Sequence, residues 1–98
     1  MRFPITLTGN NLPTALRRAG YRPEGQDERT GELKFVKSIT GTPYPRFHIY
    51  CKTEGDSASC NLHLDQKRPS YSGSSAHSGE YDGSLVESEV ERIKSLLS

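Results

Sequence analysis

The sequence predicts an α+β domain of two layers, in which an antiparallel sheet carries both helices on one face. Three observations lead there. Two stretches of strict apolar–polar alternation flank a Gly-Asp turn between residues 46 and 65. Segments with apolar residues at helical spacing stand near each end of the chain. A length of 98 residues allows one core, so residues 1–98 are expected to form a single domain. The apolar fraction of 32% is low, yet five Tyr and three Phe among spaced Leu, Ile and Val suffice for a small core.

Arg2 to Thr8 places Phe3, Ile5 and Leu7 on one face, the period of a strand. Pro4 lacks a backbone donor, which makes this segment an edge strand or an extended arm. Asn11 is a suitable N-cap for a helix beginning at Leu12, with Pro13 in its first turn and Gly20 as its stop. Leu12, Ala15, Leu16 and Ala19 share its buried face, and Arg17 and Arg18 suit its C-terminal end. Residues 22–31 carry no large apolar side chain and are expected to form a mobile surface loop. A strand from Glu32 to about Ile39 should turn Leu33, Phe35 and Ile39 inward, and residues 40–45 should connect it to the next strand.

The segment Arg46–Asp65 is the most informative. Phe47, Ile49 and Cys51 alternate with Arg46, His48, Tyr50 and Lys52; beyond the turn, Ala58, Cys60, Leu62 and Leu64 alternate with Ser59, Asn61, His63 and Asp65. A hairpin turning at Gly55-Asp56 pairs Cys51 with Cys60, Ile49 with Leu62 and Phe47 with Leu64, all on one side. His48 then faces His63, Tyr50 faces Asn61, and Arg46 faces Asp65. Residues 66–83 form a long Ser/Gly-rich loop, expected to lie ordered over the histidine-bearing face with Tyr71 and Tyr81 as anchors. Ser84 and Glu87 read as a capping box opening a C-terminal helix with Val86, Val90, Ile93 and Leu97 buried. The expected order is β-α-β-β-β-α: a three-stranded meander, with the first strand at its edge and both helices on the apolar face.

Net charge is +1, which gives no support to a highly basic nucleic-acid binder. The charge is uneven, however: residues 1–52 hold nine Lys/Arg against four Asp/Glu, and residues 53–98 hold four against eight. No apolar run reaches the ~18 residues of a membrane span. The alternating N-terminus lacks the apolar stretch of a signal peptide, so a cytoplasmic protein is expected. Two cysteines cannot build a disulfide scaffold and form no Cys-x-x-Cys; they are expected as buried thiols facing each other. The serines of residues 70–78 occur without a Gly-x-Ser-x-Gly elbow, which argues against a serine hydrolase.

The α-β-β-β-α portion is similar in element order to double-stranded-RNA-binding domains and to small toxin ribonucleases of that layout. From Leu62 to Ile93, the runs His63-Leu64-Asp65-Gln66-Lys67, residues 76–83 (Ala-His-Ser-Gly-Glu-Tyr-Asp-Gly) and the Glu-x-Glu-x-Glu-Arg-Ile of residues 87–93 resemble a family of short uncharacterised bacterial proteins. That resemblance extends over most of the chain and implies no particular activity.

The candidate chemistry lies on the polar sheet face. His48 and His63, directly opposed, can share a metal ion or divide acid and base roles across a phosphodiester, with Asp65 within reach. His77 from the long loop would supply a third nitrogen, and three ligands with an open fourth position suit Zn²⁺. The plain alternative is a pair of ordinary hydrogen-bonded strand histidines. Arg46, Tyr50, Asn61, Lys67, His77, Glu80 and Tyr81 are candidate ligand-binding residues: cations for a phosphate, an aromatic face for a base, and loop groups near His77. The reading is a small binding domain that recognises an anionic ligand, RNA or a nucleotide, through this face and the 66–83 loop. A histidine-based or metal-dependent phosphodiesterase and a protein-interaction module are the alternatives.

Overall fold

The computed structural model describes residues 1–9, 11–66, 79–80 and 83–97. Its elements run β1 (Arg2–Thr6), α1 (Leu12–Arg18), β2 (Arg22–Gln26), β3 (Leu33–Ser38), β4 (Arg46–Glu54), β5 (Ser57–Asp65), β6 (Gly79–Glu80) and α2 (Ser84–Leu97). The sheet is antiparallel throughout, in the order β1-β5-β4-β3-β2, and the two-residue β6 also pairs with β5. The α+β class is as expected, but the meander has four strands, not three.

The additional strand is β2, which occupies residues expected to be a loop. All five of its residues are exposed, and it carries Pro23 and Gly25, the residues that argue against a strand in sequence. As the outermost strand beyond β3, it needs a donor from few of them and has no core positions to fill. Ile39 is the other correction. It lies one residue past the end of β3 and is 38% exposed, while Val36, on the sheet's polar side, is 2% exposed.

The β4–β5 hairpin has the register that its alternation demands: Phe47 opposite Leu64, Ile49 opposite Leu62, Cys51 opposite Cys60. Glu54 pairs with Ser57, leaving Gly55-Asp56 as a two-residue turn in which Gly55 takes φ +62°, a backbone conformation that costs glycine little. β1 adds to the far edge of β5, Phe3 opposite Cys60 and Ile5 opposite Ala58, so its apolar phase joins the same face. The chain's amino group also donates to the Leu62 carbonyl at 2.7 Å.

Both helices cover this face. α1 is capped by Asn11, whose side chain accepts from Thr14 N at 2.9 Å, and buries Leu12, Ala15 and Leu16. α2 buries Val86, Val90 and Ile93 as expected, with Leu97 half-buried; its first bonded carbonyl is that of Gly83, which accepts from Glu87 N, so Gly83 and not Ser84 holds the cap position. The continuous core runs from Phe3 through Leu16, Phe35, Ile49 and Leu62 to Ile93. The two cysteines are free and fully buried, and their thiols touch. Contact with Cys60, together with burial, pushes the Cys51 thiol far up, so Cys51 stays a protonated packing group.

One polar link locks the helical layer. Tyr21, 2% exposed, donates its hydroxyl to Glu89 at 2.6 Å; Glu89, 6% exposed, accepts from Arg92 at 2.8 and 2.9 Å; and Arg92 donates to the Ala19 carbonyl at 2.6 Å. Glu89 lies on the apolar stripe of α2, three residues after Val86 and four before Ile93, so the helix needs these partners to bury it. Burial alone would raise its carboxyl; the hydrogen bonds from Arg92 and Tyr21 outweigh that and hold it below the ordinary range. The folded value thus lies under the unfolded one of about 4.3. Its contribution to stability is complete at neutral pH and is lost as the pH falls through the folded value. In urea titrations, Glu89→Gln should cost about 1–3 kcal/mol at pH 7, and the gap should narrow at pH 3. A gap independent of pH would contradict this assignment.

Candidate functional site

On the sheet face away from the helices, the registers line side chains up in rows that cross the strands. Arg22, Val36, His48 and His63 form one row, and Ser38, Arg46 and Asp65 form the next. Lys34, Tyr50, Asn61 and Arg2 form the row on the other side. His48 and His63 are therefore side by side because the apolar phases of β4 and β5 agree, and Asp65 is beside them because it lies two residues along the same face.

The rings pack closely. The His48 and His63 centroids are 5.1 Å apart; Tyr50 stacks on His48 at 4.6 Å and on His63 at 5.5 Å. Asp65 lies between the imidazoles, with Oδ1 3.3 Å from His63 Nδ1 and Oδ2 3.5 Å from His48 Nδ1. Burial alone would raise the Asp65 carboxyl, but the hydrogen bonds and charge of His48 and His63 prevail and hold it well below the usual carboxylate range. Arg46 reaches the same carboxylate, Nε to Oδ2 at 3.4 Å, in the cross-strand pair that its register predicts, and lies over the Tyr44 ring at 5.0 Å.

Glu24 joins this cluster without a signal from its own alternation. Pro23 pairs with Phe35 and Gly25 with Lys34, so Glu24 is an additional residue, a β-bulge that re-aims its side chain over the polar face. Its carboxylate lies 3.3 Å from Arg46 Nη1 and 3.2 Å from His48 Nε2. The latter approach is out of line for a hydrogen bond, and His48 Nε2 is a buried nitrogen with no such partner among the described residues. The only sequence signal for Glu24 is its place between Pro23 and Gly25, which reads more simply as a turn.

Ligand atoms of His48, His63 and Asp65 all lie within 4.8 Å of one another. Burial raises the Tyr50 hydroxyl, and the surrounding charges of Asp65, Glu24, Asp27 and Glu32 raise it further. These four carboxylates share the face with the cations Arg2, Arg22, Lys34 and Arg46. An open cleft of about 350 Å³ adjoins it, lined by Arg2, Asp27, Glu32, Tyr50, Asn61 and His63.

Of the sequence-predicted residues, the fold brings together Arg46, His48, Tyr50, Asn61, His63 and Asp65. Lys67, His77 and Tyr81 lie outside the described residues, as does the expected covering of the face by the loop. Glu80 is placed only as backbone of β6, opposite Leu64 at the outer edge of β5. Among the described residues, no helix is long and apolar enough to cross a membrane. The chain matches no family model, no curated protein and no solved structure.

Asp65 is the common acceptor of this cluster, whereas Glu24, on an exposed strand, is a peripheral one. In thermal or urea unfolding at pH 7, Asp65→Ala should therefore cost about 1–3 kcal/mol, the penalty for stranding charged donors. Glu24→Ala should cost under about 1 kcal/mol. Equal losses, or the reverse order, would show that the cluster is not organised around Asp65.

Proposed function

We propose that this domain binds a divalent transition-metal ion through His48, His63 and Asp65, and that the ion's remaining positions hold an anionic ligand on the polar face. The observation that carries this reading is the convergence of ligand atoms of His48, His63 and Asp65 within 4.8 Å, in a cluster where the buried His48 Nε2 has no hydrogen bond among the described residues. Two imidazoles and a carboxylate suit Zn²⁺ among the common ions, since Mg²⁺ and Ca²⁺ prefer oxygen alone. A tetrahedral ion with bonds of ~2.0–2.1 Å would draw the donors closer than they stand now. Arg46, already on Asp65, would orient that carboxylate from outside the coordination shell. Glu24 is near enough to His48 to become a further ligand or its outer partner. Asp65 and Glu24 bring two carboxylates against the single guanidinium of Arg46, a local excess of negative charge suited to a dication.

One observation favours a second reading. Each Asp65 oxygen addresses one imidazole, an arrangement that orients histidines for acid–base work on a phosphodiester without a metal. Hydrolysis of an oligoribonucleotide by chelator-treated protein would support that reading over the first.

The test is calorimetric titration of Zn²⁺ into metal-free protein at pH 7. One ion should bind per chain with release of protons. Asp65→Asn and His63→Ala should weaken binding by at least about tenfold, the loss that even an outer partner's removal brings. Circular dichroism shows whether each variant is folded. Folded variants that bind Zn²⁺ as the parent does would overturn the proposal.

A further inference from the structure

Beside this cluster, toward the β2 edge, lies a second concavity of about 360 Å³, walled by Arg22, Ser38, Gly41, Thr42 and Arg46 over the side chain of Val36. Its construction follows from the same registers. Arg22 and His48 flank Val36 on neighbouring strands, and Ser38 pairs with Arg46 in the next row. Val36, 2% exposed on an otherwise polar face, is an apolar floor covered by the neighbouring stems.

The wall formed by the β3–β4 connection is held by its own hydrogen bonds. Ser38 Oγ donates to the Thr42 carbonyl at 2.6 Å and accepts from Gly41 N at 2.9 Å, and the Thr42 hydroxyl donates to the Tyr44 carbonyl at 2.7 Å. Gly41 has φ +85°, and a Cβ built there meets nothing within 4 Å, so glycine serves the backbone turn and not a close approach. These hydroxyls are committed to shaping the pocket, which leaves the two guanidinium groups as its recognition elements.

They differ in what they already hold. Arg46 faces Glu24 and Asp65 through Nη1 and Nε, and no bond to a described residue uses its Nη2. The Arg22 side chain makes no hydrogen bond or ion pair with any described residue, because the one acid nearby on its own strand, Glu24, is turned by the bulge toward Arg46 and His48. Among the described residues, the pocket therefore has one uncommitted cation and one partly committed cation on either side of an apolar floor. Two forked guanidinium groups around a small cavity match the tetrahedral, multiply charged oxygens of a phosphate better than a single carboxylate.

We propose that this pocket binds a phosphate group through Arg22 and Arg46. It deepens the proposed function by naming the anion, and it rests on that reading only for the pocket's partner. The β2–β3 pocket lies about two strand spacings, ~10 Å, from the His63 side of the metal cluster. A phosphorylated ligand seated on Arg22 thus extends along the row toward His48 and the ion.

The test separates the two claims by omitting the metal. Inorganic phosphate is titrated into chelator-treated, isotopically labelled protein while the amide signals of residues 38–42 and the Arg22 side-chain signal are followed. A nucleoside 5′-monophosphate and a short oligoribonucleotide serve as further arms. The pocket predicts saturable shifts at these positions with inorganic phosphate. Binding should be at least about tenfold weaker in Arg22→Ala, partly restored in Arg22→Lys, and unchanged in Arg17→Ala, which removes the same charge from an exposed site on α1. Tighter binding of the monophosphate than of inorganic phosphate assigns the group to a small ligand, and tighter binding of the oligomer assigns it to a nucleic-acid backbone. If Arg22→Ala and Arg17→Ala weaken binding equally, only net charge is at work and the pocket is overturned. It is overturned as well if the amides of residues 38–42 do not move. Phosphate binding without Zn²⁺ binding would leave the pocket standing and remove the metal site; Zn²⁺ binding without a phosphate response would do the opposite.

Discussion

Everything placed in this molecule depends on the register between β4 and β5. Each strand offers alternating apolar residues, and only one alignment sets Phe47, Ile49 and Cys51 against Leu64, Leu62 and Cys60 on a single face. A slip of one residue on either strand would send half of that set into water. At roughly 1.5–3 kcal/mol for each large side chain, that loss is comparable to the whole stability expected of so small a domain. The two helices and β1 then add to a surface already decided. The polar face is decided by the same alignment, since whatever alternates with the core must gather on the other side. The site owes its position to the core.

That dependence explains why part of the cluster was legible in the sequence. The pairs Arg46–Asp65, His48–His63 and Tyr50–Asn61 are consequences of counting outward from Gly55-Asp56, and the observed registers agree. The edge position of β1 followed from Pro4, and the capping of α1 from Asn11. What escaped was of another kind. β2 draws its existence from β3's open edge and has no periodicity of its own, so Pro23 and Gly25 pointed to a loop. Glu24 could not be aimed without knowing the bulge. Tyr21 and Glu89, one beyond α1 and the other among the glutamates of α2, meet only because the sheet brings the C-terminal end of α1 against α2. Glu89 on an apolar stripe was the available signal, and its place between Val86 and Ile93 was masked by the charge ordering along that helix.

The two faces of the sheet use charge in opposite ways. On the helical side, a single buried carboxylate is fully matched by Tyr21 and Arg92, with nothing left over to bind anything else. On the open side, the matching among the described residues is incomplete. Asp65 is shared among two imidazoles and a guanidinium, His48 Nε2 lacks a hydrogen bond, and Arg22 is uncommitted. A buried polar atom left short of partners, as His48 Nε2 is among the described residues, costs stability, and a fold tolerates that cost where a ligand supplies the missing interaction; Arg22 is exposed and open to a ligand. The proposed cation site at the histidine cluster and the proposed phosphate site at the arginine pocket are neighbouring parts of this one face.

Anomalous diffraction from a crystal of the protein equilibrated with Zn²⁺ measures the central claim most directly. A zinc peak is expected ~2.0–2.2 Å from one nitrogen each of His48 and His63 and from an Asp65 oxygen, with Arg46 still on that carboxylate. A crystal in which this cluster keeps its present hydrogen bonds and zinc sits elsewhere, or nowhere, would contradict it.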